Sequence, residues 1–282
     1  MNRVLIIGAT GNVGREVVSQ LAGRDVLVRA LTRNPEAARF PEQVEVVGGD
    51  LAVPDSLHAG LEGVDTVFLV WTAPSDAVAP AIKRIGEYAR RIVFLSSPHK
   101  TPHPFFQQPN PMKLLHAKIE QLIENSVLDW TVLRPGIFAA NSYAWWARQI
   151  RSGGVVRWPH VAVPTAPVHE RDIAAVAVRV LCDAGHSGRE YVLTGPESLT
   201  QFEQISIIGR VLGRSLHIQE ISSDEARREL PMPAFVLNML LDAWAAAAGQ
   251  PAFVTSTVAE ITGTAARTFL DWAKDHAREF LA

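Results

Sequence analysis

The chain has 282 residues, 48% hydrophobic and 20% charged, with a formal net charge of −2. That is ample for a large core, in one domain with a smaller lobe or in two closely joined ones, and it offers no basic field for nucleic acid. Cys182 is the single cysteine, so no disulfide can form within the chain, which fits a reducing cytoplasm.

The first predicted element is the apolar strand Val4-Leu5-Ile6-Ile7, entered directly and without the layout of a signal peptide. It runs into Gly8-Ala9-Thr10-Gly11-Asn12-Val13-Gly14, three glycines spaced three apart. A helix opens at Asn12 and carries Val13, Val17, Val18 and Leu21 on one face. Strand, tight turn and helix N-terminus suit a pyrophosphate. The glycines let the backbone come close, and the helix end offers unpaired N–H groups and the positive end of its dipole. Gly8 serves the turn, Gly11 the close approach to phosphate, and Gly14 the packing of helix on strand.

Val26 to Thr32 reads as the second strand. In dinucleotide folds an Asp or Glu at its end holds the ribose 2′-OH of NAD. Here the residues are Thr32-Arg33-Asn34. Arg33 offers a permanently charged fork that matches a phosphate, and no acid is present to repel one, so the expectation is NADP(H) over NAD(H). A solvated surface arginine is the alternative. Val44 to Gly48 is strand three, followed by Asp50, which could accept from an adenine amino group or cap the next helix. Val64 to Trp71 is a continuous apolar strand, Ser75 to Arg91 a crossover helix, and Ile92 to Leu95 strand five, ending in Ser96-Ser97. This alternation argues a doubly wound parallel α/β sheet, whose ligands sit beyond the carboxyl ends of the strands. Thr10, Arg33, Asp50, Thr72 and Ser96 all fall at or just past such ends.

Pro98 to Pro111 reads as a proline-rich loop without regular structure, holding Phe105 and Phe106, and could flank or cover a pocket. His99 and His103 lie within it, but nothing completes a metal ligand set, and no metal is expected. Met112 to Glu124 is a helix and Trp130 to Leu133 strand six. Beyond Ile137 the expected elements are a helix at Ala139 to Arg151, a strand at Val155 to Trp158, a helix at Glu170 to Cys182 and a strand at Glu190 to Thr194. A helix then runs from Thr200 to Leu212, with Thr200 and Glu203 as a capping box. A strand at Leu216 to Ile221 precedes a helix capped by Ser223, and a terminal helix runs from about Ala265 to Phe280. Ala234 to Val254 is apolar, but Asn238, Asp242, Gly249, Gln250 and Pro251 argue against a membrane span. The division expected is a dinucleotide-binding domain at 1–136, also receiving later segments, and a substrate-binding lobe at 137–282.

The glycine segment, Thr32-Arg33, Gly49-Asp50-Leu51, Phe94-Leu95-Ser96-Ser97 and Asp129-Trp130-Thr131-Val132-Leu133-Arg134-Pro135-Gly136-Ile137-Phe138 with Asn141 together carry a resemblance. So do Asp172-Ile173-Ala174, Val192-Leu193-Thr194-Gly195 and Val258-Ala259-Glu260-Ile261-Thr262-Gly263. In these the chain resembles the NmrA-like, atypical group of the short-chain dehydrogenase/reductase superfamily over nearly its whole length. The resemblance implies a Rossmann-type fold with NADP(H) held by Gly8, Thr10, Gly11, Asn12, Val13, Gly14 and Arg33. Later strand ends would add Asp50, Leu51, Trp71, Thr72, Ser96 and Pro135, and Lys118 the ribose contact. It also implies a substrate pocket between the sheet edge and the C-terminal lobe, for which Phe138, Asn141, Tyr143 and Trp146 are candidates; core packing is the commoner role for such aromatics.

Typical reductases of the superfamily use Tyr-x-x-x-Lys. Lys118 aligns with the lysine, but the tyrosine position is Leu114, which cannot transfer a proton. Lys118 and Ser96 are the catalytic candidates, with His116, Ser97, Tyr143 and His169 as further proton donors. By helical spacing Leu114 and Lys118 share a face and His116 does not. Quinones, azo compounds and activated double bonds take a hydride and then a proton from water. The expectation is therefore an NADPH-dependent reductase of an apolar, aromatic or conjugated small molecule: a quinone, enone, imine or ketone. The alternatives are an NADP(H)-binding sensor without turnover, and a lyase, isomerase or cyclase on the same fold. No nucleic-acid or membrane partner is expected. The oligomeric state is open, a homodimer included.

Overall fold

The computed structural model describes residues 2–281, which fall into two compact units. The first comprises residues 2–97, 111–135 and 170–192; the second comprises 98–110, 136–169 and 193–281.

The first unit is built on a twisted sheet. Its strands are β1 (Asn2–Ile7), β2 (Val26–Thr32), β3 (Glu45–Gly48), β4 (Thr66–Val70), β5 (Arg91–Leu95) and β6 (Asp129–Pro135), with a seventh at Arg189–Leu193. The order is β3-β2-β1-β4-β5-β6 and then the seventh strand. The pairs from β3 to β6 are all parallel, with Val4 opposite both Val28 and Thr66, and Leu95 opposite Leu133. The order turns back between β1 and β4, the switch point at which doubly wound sheets bind ligands. Val4, Leu5 and Ile6 are fully buried, as strands covered on both faces must be. Helix Asn12–Leu21 lays Val17, Val18 and Leu21 against the sheet, each fully buried, and packs beside helix Glu170–Cys182. Burying side chains of this size contributes roughly 1.5–3 kcal/mol apiece.

Two buried charges are held by geometry. Arg29, on β2, donates to Glu45 at 2.8 Å and to the carbonyls of Ala59, Gly60 and Glu62, satisfying the end of the short helix His58–Leu61. Arg134, on β6, donates to Glu120 at 2.7 Å and to Glu190 at 2.8 Å.

The second unit pairs strands Val155–Trp158 and His217–Glu220 in parallel, and Pro164–Thr165 with Leu199–Thr200 antiparallel. Its core is aromatic. Trp146, Trp158 and Trp244 are fully buried, with ring centroids 5.7–5.8 Å apart along the chain of contacts Trp146–Trp158–Trp244. Trp146 is therefore a core side chain, which corrects its assignment to a substrate pocket. Helices Asn141–Arg151, Gln201–Val211 and Ala234–Ala247 contribute to this core. No helix among the described residues is long and apolar enough to cross a membrane.

Three further expectations are corrected. The proline-rich stretch contains a short helix, Pro104–Gln107: Pro104 has no N–H to lose in a first turn, and the His103 ring accepts from the Phe105 N–H. Ser222, not Ser223, caps helix Ser223–Glu229, because Glu225 completes a capping box with Ser222. The terminal helix is shorter than expected. Thr268 and Asp271 form a capping box that starts it at Phe269, and after Asp275 the chain tightens into a 3-10 turn, Ala277–Phe280.

Candidate functional site

A cavity of about 730 Å³ opens at the carboxyl ends of β1 to β4, within the size range of small-ligand sites. The glycine segment forms one wall. Gly8 has φ +87°, a backbone conformation open to glycine, and a Cβ there would meet the Val70 side chain at 2.8 Å. A Cβ on Gly14 would lie 2.1 Å from the Gly8 carbonyl oxygen, so only glycine lets the helix start this close to the strand. Gly11 is the N-cap of helix Asn12–Leu21, with no side-chain cap bond and no acidic residue in the first turn. The helix end is thus left to a negatively charged guest.

The lining also carries positive charge. Arg15, Arg33 and Arg39 line the cavity, against the single carboxylate of Asp50. Arg15 Nη2 donates to the Thr10 carbonyl at 3.2 Å, and Arg39 Nη1 to the Glu36 and Ala38 carbonyls at 2.6 and 2.9 Å. Asp50 Oδ1 accepts from the Ala52 N–H at 2.9 Å within its own turn, and it does not cap the next helix: the 3-10 helix Pro54–Leu57 has Val53 as its N-cap with no side-chain bond. The cavity's volume, and its surplus of arginines over carboxylates, suit a dinucleotide. Gly8, Thr10, Gly11, Arg33, Asp50, Leu51 and Thr72 are the expected cofactor residues that line it.

The other candidates sit elsewhere. Asn12, Val13 and Gly14 form the first turn of the helix. Trp71 is buried, its indole N–H donating to the Ala73 carbonyl at 2.6 Å. Pro135 closes β6. Lys118 is exposed and its ammonium donates to the Ser75 carbonyl at 3.1 Å. Ser96 is buried and its hydroxyl donates to Glu120 at 2.5 Å, a charge-assisted bond, since Glu120 also pairs with Arg134. That geometry commits the serine proton to a carboxylate. Leu114 is 72% exposed on the same helix face as Lys118, and the half-buried His116 ring lies edge-on to Phe94 at 5.8 Å.

In the second unit Tyr143 is partly exposed, its ring 5.7 Å from the Arg151 guanidinium and 5.8 Å from the Phe280 ring. Phe138 bridges Val168, Asn141 opens helix Asn141–Arg151, and the buried His169 faces Asp275 at 3.4 Å. None of these residues lines the cavity at the strand ends.

Arg15 and Arg39 were missed by reading motifs. The signal available was charge: Arg15 directly follows the third glycine, and Arg39 stands six residues after Arg33. The short 3-10 turn Pro35–Ala37, capped by Asn34, brings Arg39 back to the cavity.

A Gly-rich turn at the switch point of a doubly wound sheet defines a dinucleotide-binding protein. Residues 8–184 match the model of the NAD(P)H-binding family. The chain is 39% identical to the (4-alkanoyl-5-oxo-2,5-dihydrofuran-3-yl)methyl phosphate reductase of Streptomyces griseus, covering 98% of this chain and 99% of that protein. It is 31% identical to the NAD(P)H azoreductase of Xenophilus azovorans, with 98% and 99% covered. Among solved structures, the NADPH-dependent quinone oxidoreductase QOR2 of Escherichia coli superposes with a TM-score of 0.79 at 23% identity, over 96% of this chain and 98% of that one. The chain belongs to the NAD(P)H-binding family, with the fold of the NmrA-like, atypical short-chain dehydrogenase/reductase group, and in class it is an NAD(P)-dependent reductase.

Proposed function

We propose that the chain is an NADPH-dependent reductase of apolar, conjugated small molecules of the quinone, enone, imine or ketone type. The observation that carries the cofactor preference is the end of β2. Arg33 stands where an acid would hold a ribose hydroxyl, and Arg15 and Arg39 line the same cavity. A 2′-phosphate would find a charged fork there and no carboxylate on the loop that directly follows β2 until Glu36.

Bound there, the reduced dinucleotide would supply a hydride. Gly8, Gly11 and the open helix end would hold its pyrophosphate, and Asp50, Leu51 and Thr72 would flank the rest. The positions that carry acid chemistry in Tyr-x-x-x-Lys reductases are poorly supplied here. Leu114 offers no proton, the Ser96 proton is held by Glu120, and the Lys118 ammonium is turned to a backbone carbonyl. Acceptors whose reduced oxygen or nitrogen takes its proton from water suit such a site. The relatives named for a furanone phosphate, for azo compounds and for quinones support reduction of a conjugated acceptor, the first of them one that carries a charged phosphate.

The test is a titration of the protein with NADPH, NADP⁺, NADH and NAD⁺, repeated on Arg33→Ala, followed by an acceptor screen. The expected result is a preference for NADP(H) that shrinks by about ten- to hundredfold in the variant, the value of one charge-assisted pair. No binding of any of the four overturns the cofactor assignment. Binding without acceptor-dependent NADPH oxidation across quinones, enones, imines and ketones overturns the substrate class.

A further inference from the structure

The order β3-β2-β1-β4-β5 places β1 between two pairs of strands. Neighbouring strands lie about 4.8 Å apart, so β3 and β5 each stand roughly 10 Å from β1. A dinucleotide has two halves of similar length joined at the pyrophosphate, and a doubly wound sheet takes one half on each side of its switch point. The glycines suited to the pyrophosphate follow β1, while Arg33 and Asp50, past β2 and β3, line the side that suits the adenosine half. The nicotinamide half then belongs over the ends of β4 and β5, where Thr72 and Ser96 stand.

Ser96 is the first residue past β5, and its backbone is fixed: its N–H donates to the Leu133 carbonyl on β6 at 2.8 Å. Its side chain is fixed as well. Glu120, on helix Pro111–Glu124, takes the serine proton on Oε1 at 2.5 Å. The other carboxylate oxygen, Oε2, accepts from Arg134 Nη2 at 2.7 Å, and the same nitrogen donates to Glu190 on the neighbouring strand at 2.8 Å. Ser96, Glu120 and Arg134 are 6%, 2% and 2% exposed, and all four residues belong to the first unit. Turning the hydroxyl away from Glu120 would break a charge-assisted bond in the interior, where such bonds are strongest.

A serine hydroxyl has one proton to give and two lone pairs that accept. With the proton committed to Glu120, the Ser96 oxygen can only accept, so what it meets at the strand end must be a donor. The nicotinamide ring bears one donor group, the NH₂ of its carboxamide. Resting on the NADP(H) reading, we infer that Ser96 Oγ accepts from the carboxamide N–H of the nicotinamide, and that Glu120 and Arg134 are positioning residues that keep the serine in its accepting state. Such a contact fixes the rotation of the ring about its bond to the ribose. It also gives the buried Ser96–Glu120–Arg134 chain a task other than proton donation.

The probes are NADP⁺, its 3-acetylpyridine analogue and adenosine 2′,5′-bisphosphate. The analogue carries a methyl group in place of the carboxamide NH₂, and the bisphosphate lacks the nicotinamide half. Calorimetry measures the affinity of each for the parent protein, Ser96→Ala, Ser96→Thr and Glu120→Gln. The parent is expected to bind NADP⁺ about fivefold tighter than the analogue, the value of one hydrogen bond. That preference is expected to vanish in Ser96→Ala and to return in Ser96→Thr. It is expected to fall in Glu120→Gln, because Arg134 selects the carbonyl oxygen of the glutamine and leaves its NH₂ to occupy the serine oxygen. Bisphosphate affinity is expected to stay level in all four proteins, which a loosened fold would not allow. Ser96→Ala removes no charge, so it keeps the test open should Glu120→Gln fail to fold. A preference that persists in Ser96→Ala, or a bisphosphate affinity that falls in step with that for NADP⁺, overturns the inference and leaves the cofactor reading standing. An undiminished preference in Glu120→Gln overturns the positioning role. No binding of NADP⁺ or the bisphosphate to the parent overturns the cofactor reading, and the inference with it.

Discussion

An alanine at position 14 would place its Cβ 2.1 Å from the Gly8 carbonyl oxygen and 2.9 Å from the Ala9 Cα. Both neighbours are backbone, so the helix would have to withdraw from the strand that aims it. Gly14→Ala is expected to lower the melting temperature and to abolish NADPH binding together. Gly11→Ala, whose Cβ would meet the same oxygen at 3.4 Å, is expected to fold like the parent protein. Differential scanning calorimetry and a fluorescence titration check both, and a Gly14→Ala protein that binds NADPH normally would refute the packing argument. At position 33 the argument is charge rather than shape. Arg33→Ala removes a phosphate partner and is expected to leave NADH affinity unchanged while NADPH affinity falls. Position by position, legibility followed the range of the cause. The three glycines and Arg33 act through their own turn and could be read directly. Arg39 depends on a 3-10 turn that returns it to the cavity, and Trp146 on which face of its helix meets Trp158. Neither cause is visible in neighbouring residues.

Helix starts form a second level, and three of them carry the same device. Thr200 with Glu203, Ser222 with Glu225, and Thr268 with Asp271 each close a capping box in the second unit. Hydrogen bonds from the capping hydroxyl and backbone N–H hold all three carboxyl groups below their ordinary pKa. A carboxylate favoured in the folded state stabilises at pH values above its unfolded pKa near 4, and that stabilisation is lost as pH falls through the folded value. The melting temperature is therefore expected to drop below about pH 4.5, with Thr200→Ala less stable by about 1 kcal/mol at neutral pH and less sensitive to acid. Urea unfolding at pH 7 and pH 3.5 measures both, and an unchanged pH slope in Thr200→Ala would sink the assignment. The Thr200 box was legible because Thr and Glu stand at the right spacing ahead of an apolar run. The other two misled by one and about four residues. Ser222 and Ser223 are adjacent and both can cap, and Ala265-Ala266-Arg267 are good helix formers whose run Thr268 interrupts as N-cap.

Across the whole molecule the sheet was more legible than the second unit. Parallel strands buried on both faces leave continuous apolar runs, and β2 and strand Val155–Trp158 begin and end where their sequences say. The second unit is assembled from two-residue strands and short helices whose partners lie far along the chain, such as Pro164–Thr165 with Leu199–Thr200. Their pairing is set by tertiary packing, which local pattern does not encode. One feature of the first unit reaches further than its part in holding phosphate. The first intrahelical bond of Asn12–Leu21 runs from the Arg15 N–H to the Gly11 carbonyl, so the amides of Asn12, Val13 and Gly14 precede the ladder. In deuterated water these three are expected to exchange within seconds in the free protein, while the amides of Val17 and Val18, deep under the sheet, hold their protons far longer. Saturating NADPH is expected to slow the first group and leave the second nearly unaltered. The turn would then report its own occupancy, amide by amide, without a label and without a known acceptor.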